Sequence, residues 1–267
     1  MPELPEVETI RRQLGPAILG RTIRASGSHP SAKFAPATGA VGATVTSVRR
    51  RGKYLLIGLE DERELVIHLG MTGRLQLRAD TLDVAAPHLR AWWDLGDRTL
   101  DLHDIRRFGR VALVPTGHHH TLPTLADLGP EPFSDDFTPA SLWSALRASR
   151  TRVKTNLLSQ RPVAGVGNIY ADEALWRAAI NPASRRVSRA AAARLHEAVV
   201  AVLHAAVEHG GTTFRDYRSF DGATGSNQLH LDCYGRAGEP CRRCDEPLVR
   251  RTLDGRSTTW CRTCQAR

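Results

Sequence analysis

The sequence predicts an α+β protein of several domains: a short N-terminal helix, a β-sandwich or barrel, a helical region, and a zinc-bound module at the end. Three observations carry that expectation. β-type runs recur at intervals of about 8–12 residues as far as residue 115. Beyond residue 138 the apolar spacing becomes helical. Four of the five cysteines then stand as two Cys-x-x-Cys pairs near the C-terminus. With 267 residues, 41% of them apolar and 24% charged, the chain can bury about two cores and lacks the composition of a disordered segment.

Pro5 at a helix start, Glu6 and Glu8 in the first turn, and Ile10 with Leu14 on one face predict a helix over 5–14. Strands are expected at 44–48, 54–59, 64–69, 74–77, 91–95, 99–102 and 110–114. The Gly- and Pro-rich stretches 117–123 and 129–132 place a domain boundary near 130–137. Within the first, His118 to His120 lack ligand spacing and read as a solvated turn. Helices follow at 142–148, 155–159, 169–180 and 188–209, the last closed by Gly210 and Gly211. Gly165-Val-Gly-Asn168 opens straight onto a helix, which suits either a phosphate held by helix N–H groups or a close-packed corner. The polar stretch 212–228 predicts a mobile loop. The resulting division is 1–130, 131–230 and 231–267.

Cys241-x-x-Cys244 and Cys261-x-x-Cys264, 16 residues apart, have the spacing of a tetrahedral four-thiolate zinc site on two turns. A segment this small gains its fold from the metal. An iron–sulfur or redox role is the alternative, and Cys233 is left as a plain thiol. Between the pairs, Asp254-Gly255 predicts a two-residue hairpin turn that carries Arg256 at or just after its tip. From Cys233 to Arg267 there are eight Arg against four acidic residues. By itself such a module fits DNA, RNA or protein.

Charge narrows the partner. Lys plus Arg is 37 against 28 for Asp plus Glu, a net +9, which points to a polyanion. Only three of the basic residues are Lys: Lys33, Lys53 and Lys154. The acidic, proline-punctuated opening is not that of a secretory signal. No apolar run near the ~20 residues of a spanning helix is evident, so a cytoplasmic protein without a membrane partner is expected. The small residue after Met1 permits its removal, leaving Pro2 as a terminal secondary amine. Terminal amines titrate near about 8, against about 10.4 for Lys, so a usable neutral fraction exists for attack on carbon. Glu3 and Glu6 lie close enough in sequence to serve that amine or to complement the helix N-terminus.

Several segments together resemble the formamidopyrimidine-DNA glycosylase family. They include Pro2-Glu-Leu-Pro-Glu-Val-Glu-Thr9, Arg50-Arg-Gly-Lys-Tyr-Leu-Leu56, His68-Leu-Gly-Met-Thr-Gly73 and Asp104-Ile-Arg-Arg-Phe-Gly109. Further matches are Leu128-Gly-Pro-Glu-Pro132, Val163-Ala-Gly-Val-Gly-Asn-Ile-Tyr170, Gly210-Gly-Thr-Thr213, Tyr234-Gly-Arg236 and the terminal cysteines. The matches run in order over nearly the whole chain. The opening is closer to the purine-lesion branch than to the endonuclease VIII relatives, whose usual start is Pro-Glu-Gly-Pro-Glu.

The resemblance implies a monomeric base-excision repair enzyme with glycosylase and abasic-site lyase activities. Its partner would be duplex DNA carrying an oxidised base or abasic site at the nucleoid, and its cofactor one structural Zn²⁺. Its fold would be a β-sandwich, a helix–two-turn–helix domain and a zinc finger, with DNA in the basic cleft between. Pro2 would attack C1′ of the damaged nucleotide, Glu3 would serve as acid and base, and Glu6 would help hold the site against DNA. Lys53, Asn168 and Arg256 match the phosphate clamp, with Lys53 and Arg256 also counted as catalytic. Met71 and Phe108 match apolar wedges, and Arg106 the donor to an orphaned cytosine. His68 and Lys154 match further DNA contacts, and Glu173 a position near the lesion base. Departures are Ile105 where the family often has Pro, the segment 87–93, and a lesion loop at 221–228 without aromatic or basic residues. The alternatives are preference for oxidised pyrimidines and a non-catalytic binder of damaged DNA.

Overall fold

The computed structural model describes residues 2–79, 82–213 and 225–266. These form two compact units, one from 1–126 with 209–226 and the other from 127–208 with 227–267.

The first unit opens with α1 (Leu4–Ile18), whose stripe Val7, Ile10, Leu14 and Ile18 is buried. The helix runs past the expected end at residue 14 because Ile18 continues that stripe, and Pro16 sits in the last turn. Eight strands follow: β1 (Ala25–Ser28), β2 (Val45–Arg51), β3 (Tyr54–Leu59), β4 (Arg63–His68), β5 (Arg74–Arg78), β6 (Leu89–Asp94), β7 (Thr99–His103) and β8 (Arg110–Pro115). They pair antiparallel in two four-stranded sheets, β1-β6-β7-β5 and β2-β3-β4-β8. Leu55, Ile57 and Ile67 from one sheet share a single core with Trp93, Leu100 and Leu102 from the other, so the unit is a sandwich rather than a closed barrel. Strand β1 was not expected: Ala25-Ser-Gly-Ser28 has no apolar alternation, and backbone pairing with β6 orders it. A one-turn helix, α2 (Pro123–Ala126), ends the stretch. In the turn before it, His119 bonds the buried Glu64 carboxylate at 2.5 Å, so this residue is anchored rather than merely solvated.

The second unit contains α3 (Pro139–Ala148), α4 (Val153–Leu158), α5 (Asn168–Arg177) and α6 (Arg189–Glu208). A capping box at Thr138 and Ser141 starts α3. Contrary to expectation, α6 is long and apolar enough to cross a membrane by length and composition, with a window hydropathy of 1.4. Its scattered Arg, His and Glu hide this from a search for unbroken apolar runs. Its buried face, including Leu195, Val199 and Leu203, belongs to a helix packed on α3 and α5. The hairpin β9 (Val249–Leu253) and β10 (Arg256–Trp260) turns at Asp254 and Gly255, both with positive φ (47° and 77°), as a type I′ turn requires. Most of the polar loop expected at 212–228 lies outside the described residues.

Trp93 ties the sandwich to the segment at Ala37, whose carbonyl accepts its indole N–H at 3.0 Å. Trp93→Ala should cost about 3–5 kcal/mol in urea unfolding, and Trp93→Phe about 1–3 kcal/mol through the unpaired carbonyl and lost volume. Wild-type stability of Trp93→Ala would contradict this packing.

Candidate active site

The start of α1 gathers the first three expected residues. Glu3 is the N-cap and Glu6 the third helical residue of a capping box, so both carboxylates sit at the helix N-terminus. The Glu6 carboxylate accepts from Glu3 N at 2.7 Å and, with its other oxygen, from Thr212 N at 2.7 Å. Glu3 and Glu6 are each 1% exposed, and Pro2 is buried. Gly211 makes the second bond possible: its φ is +84°, and a Cβ there would meet Glu6 Oε1 at 2.9 Å. Glu6 is thus a clamp on backbone at both ends of the unit, not a surface group for DNA.

Lys53 occupies the β2–β3 turn after Gly52, whose φ is +55°. It is 4% exposed, so its ammonium is not a solvated charge at the strand entry. His68, at the end of β4, lies against the Tyr54 ring at 4.7 Å and accepts from Gly70 N through Nδ1. Burial, then the nearby Lys53 and Arg110, lowers its pKa to about 4. The imidazole is therefore neutral at neutral pH and offers Nε2–H as a donor.

Met71, Arg106 and Phe108 come from two loops, and a buried carboxylate joins them. Asp104 accepts from Thr72 Oγ1 at 2.5 Å, Arg106 N at 3.2 Å and Gly109 N at 2.7 Å. Gly70, with φ +62°, lies so close to the Phe108–Gly109 backbone that a Cβ would meet Gly109 N at 2.5 Å. The bracing leaves Phe108 50% exposed with the Arg106 guanidinium 4.6 Å above its ring. Ile105, where the expected motif has Pro, points outward at 59% exposure. An exposed aromatic and cation on a braced loop are the chemistry of an apolar wedge with a hydrogen-bond donor beside it. Neither Asp104 nor Thr72 was assigned a role from sequence, although the carboxylate five residues before Gly109 was visible in the motif.

In the second unit, Lys154 Nζ and Asn168 Nδ2 both donate to Ser257 O, at 2.8 and 3.0 Å. That carbonyl follows Arg256, which is exposed on the hairpin. Lys154, expected as a DNA contact, is 1% exposed and paired with Asp172 at 2.7 Å. There it positions the hairpin and does not present its ammonium to a ligand. Asp172 also accepts from Thr259 N, and burial raises its pKa to about 7 against the pull of Lys154. Asp254 accepts from Thr155 Oγ1 at 2.5 Å and pairs with Arg152, fixing the turn itself. Glu173, expected near a lesion base, is 4% exposed and accepts three backbone N–H groups at 232–234.

The Sγ atoms of Cys241, Cys244, Cys261 and Cys264 all lie within 4.8 Å of one another. Separations of 3.5 and 4.0 Å bracket the ~3.8 Å edge of a tetrahedron with Zn–S bonds of about 2.3 Å. The donor set therefore fits one structural Zn²⁺. Trp176 of α5 donates its indole N–H to Cys241 Sγ, tying the metal module to the helix that begins at Asn168. Cys233 is fully buried and donates to Thr259 O, and burial pushes its thiol far above the ordinary range.

The family model described as the Formamidopyrimidine-DNA glycosylase N-terminal domain matches residues 1–111. That of the Formamidopyrimidine-DNA glycosylase H2TH domain matches 128–218, and the zinc finger found in FPG and IleRS matches 238–267. A formamidopyrimidine-DNA glycosylase of Thermus thermophilus is 46% identical over 99% of this chain and 98% of its own. One from Deinococcus radiodurans is 44% identical over 99% and 97%. The crystal structure of the MutM (Fpg) protein from Thermus thermophilus superposes with a TM-score of 0.92 at 46% identity, covering 99% of this chain and 98% of that one. The complex of Lactococcus lactis Fpg with DNA containing an abasic site gives 0.90 at 35% identity, covering 99% and 100%.

Asp104→Ala removes the acceptor shared by three donors, so the 104–109 loop should loosen at a cost of about 1–3 kcal/mol. Amide exchange at Gly109 should quicken while α1 amides keep their protection. Unchanged protection at Gly109 would remove Asp104 from this role.

Proposed function

Because this chain belongs to the formamidopyrimidine-DNA glycosylase family, we propose that its chemistry begins at the Pro2 nitrogen, freed by removal of Met1. The protein is a base-excision repair DNA glycosylase with abasic-site lyase activity, it acts on damaged duplex DNA, and it carries one structural zinc. The observation that carries the residue assignment is the buried N-terminal cluster, in which Glu3 and Glu6 fix the backbone on which Pro2 sits.

In this reading an oxidised purine, 8-oxoguanine or a formamidopyrimidine, is turned out of the helix at a cost of a few kcal/mol. The Pro2 lone pair forms a bond to C1′ as the bond from C1′ to the base breaks, and the base leaves with a proton. Glu3 protonates the ring oxygen, so the sugar opens to an iminium at C1′. The iminium acidifies the C2′ proton, whose removal expels the 3′ phosphate. A further proton loss expels the 5′ phosphate, and hydrolysis of the iminium returns Pro2. At pH 7.4 about a fifth of ordinary terminal amines are neutral, against about a thousandth of lysines, which favours the terminus over Lys53 as nucleophile.

Lys53, His68, Asn168 and Arg256 would hold phosphates around the extruded nucleotide, His68 as a neutral donor. Met71 and Phe108 would fill the vacated stack, and Arg106 would donate to the orphaned cytosine. Zinc supplies folding energy to the Arg256 hairpin, and no step of the reaction passes through it. We divide the chain into catalytic, helix–two-turn–helix and zinc-finger parts at 1–130, 131–230 and 231–267, with 209–226 packed in the first unit, and place the monomeric enzyme in the cytoplasm at the nucleoid.

Borohydride added during incubation with an 8-oxoguanine·C or abasic duplex should trap the chain covalently, with the adduct on Pro2. Pro2→Gly should lower trapping by about 100-fold or more, and Glu3→Gln should stop base release more than cleavage of a preformed abasic site. A panel with thymine glycol·A reads lesion preference in the same assay. An adduct mapped to another side chain would sink the assignment.

A further inference from the structure

The second unit holds a cavity of about 820 Å³ that none of these roles uses. It lies between the end of α3 and the loop leading into α6. Arg147, Arg150, Arg185, Arg186 and Arg189 line it around Trp143, and no acidic residue is in its wall. All five guanidinium-bearing residues are exposed. Among the described residues no carboxylate pairs with any of them, whereas the nearby Arg152 is paired with Asp254. Five like charges in one concavity repel one another and raise the local concentration of anions. The cavity is also far wider than a single phosphate.

We propose that this arginine cavity binds backbone phosphates of duplex DNA outside the lesion clamp, as a second contact on the same substrate. Two observations favour duplex backbone over a nucleotide or other small anion. Arg147 and Arg189 stand over the Trp143 ring, at 5.2 and 4.4 Å, so a base stacking there would compete with two cation–π contacts. Guanidinium forks without an aromatic platform read phosphate rather than sequence. The cavity is also continuous with the Arg256 hairpin: Arg185 donates to Arg150 O, Val153 N donates to Ser184 O at 2.7 Å, and Arg152 grips Asp254 at the turn. The row of cations and the Arg256 hairpin are thus joined by direct contacts, and the one carboxylate in that chain of contacts, Asp254, is paired with Arg152. The inference rests on the DNA-binding reading above, and it assigns that reading a surface the catalytic roles do not use.

The test uses the full zinc-loaded protein and the triple variant Arg147→Gln/Arg150→Gln/Arg186→Gln. Binding to 10-bp and 40-bp duplexes, each centred on an uncleavable abasic analogue, is measured from 50 to 300 mM NaCl. Each lost phosphate contact lowers the magnitude of the log–log salt slope by about 0.9. On the 40-bp duplex the variant should lose about 2–3 units of slope, and affinity at low salt should fall by at least about tenfold. On the 10-bp duplex binding should match wild type, and so should single-turnover base release from a separate 10-bp duplex carrying 8-oxoguanine, which also shows that the variant folds. Equal losses on both lengths would place these arginines in the lesion clamp, and no loss on either would leave DNA without a contact there. Either result overturns the proposal. Tripolyphosphate binding that the variant loses, without a length effect on DNA, would assign the cavity to a small polyanion and overturn it too. The binding readout needs no turnover, so failure of Pro2 to form an adduct is a separate result. Failure of the wild-type chain to bind either duplex would overturn both readings.

Discussion

A carboxylate with 1% exposure, Glu6, accepts two backbone N–H groups, one three residues before it and the other 206 residues after it in sequence. The first belongs to Glu3 at the start of α1, and the second to Thr212 just after the C-terminal end of α6. Without it, the residues before the helix would fray like any chain terminus. A nucleophile on a fraying end would have no fixed approach to a sugar carbon, and misplacement of about 1 Å can cost on the order of 100-fold in rate. Gly211 is part of the same constraint, because only a residue without Cβ can bring the Thr212 amide so close to Glu6. The placement of the proposed nucleophile is therefore a product of long-range folding.

The same device recurs wherever a proposed site residue leaves a loop. Asp104 braces the Arg106–Phe108 wedge, Asp172 with Lys154 braces the strand after Arg256, Asp254 braces the turn before it, and Glu173 gathers the 232–234 backbone. A buried carboxylate suits this task because its two oxygens can satisfy several N–H groups of an irregular segment. Removing one partner leaves an uncompensated buried charge, which for a pair such as Lys154–Asp172 costs about 3–5 kcal/mol. Zinc does the corresponding work for the cysteine corners, where there is too little apolar surface to hold a fold.

How much of this could be read beforehand follows from the range of each interaction. The zinc quartet and the Asp254-Gly255 turn are local in sequence, and both appear where expected. The strands with alternating apolar residues were legible for the same reason. β1 was not, since Ala25-Ser-Gly-Ser28 is ordered by its neighbour's backbone rather than by its own side chains. Lys154 and Glu173 were placed near the ligand by their motif positions. Their burial depends on Asp172 and on the 232–234 backbone, and no local pattern reports those partners. The Glu6 clamp, closed between residues 206 positions apart in sequence, was legible only as two glutamates near a helix start.

Glu6→Gln tests the central constraint most directly, because it keeps the shape and replaces one acceptor by a donor that faces an N–H. Amide exchange at Glu3 and Thr212 should be measured together with single-turnover release of 8-oxoguanine. We expect lost protection at one or both amides and release slowed by about 100-fold, with the core amides of β3 and β4 still protected. Wild-type release with both amides still protected would contradict the clamp.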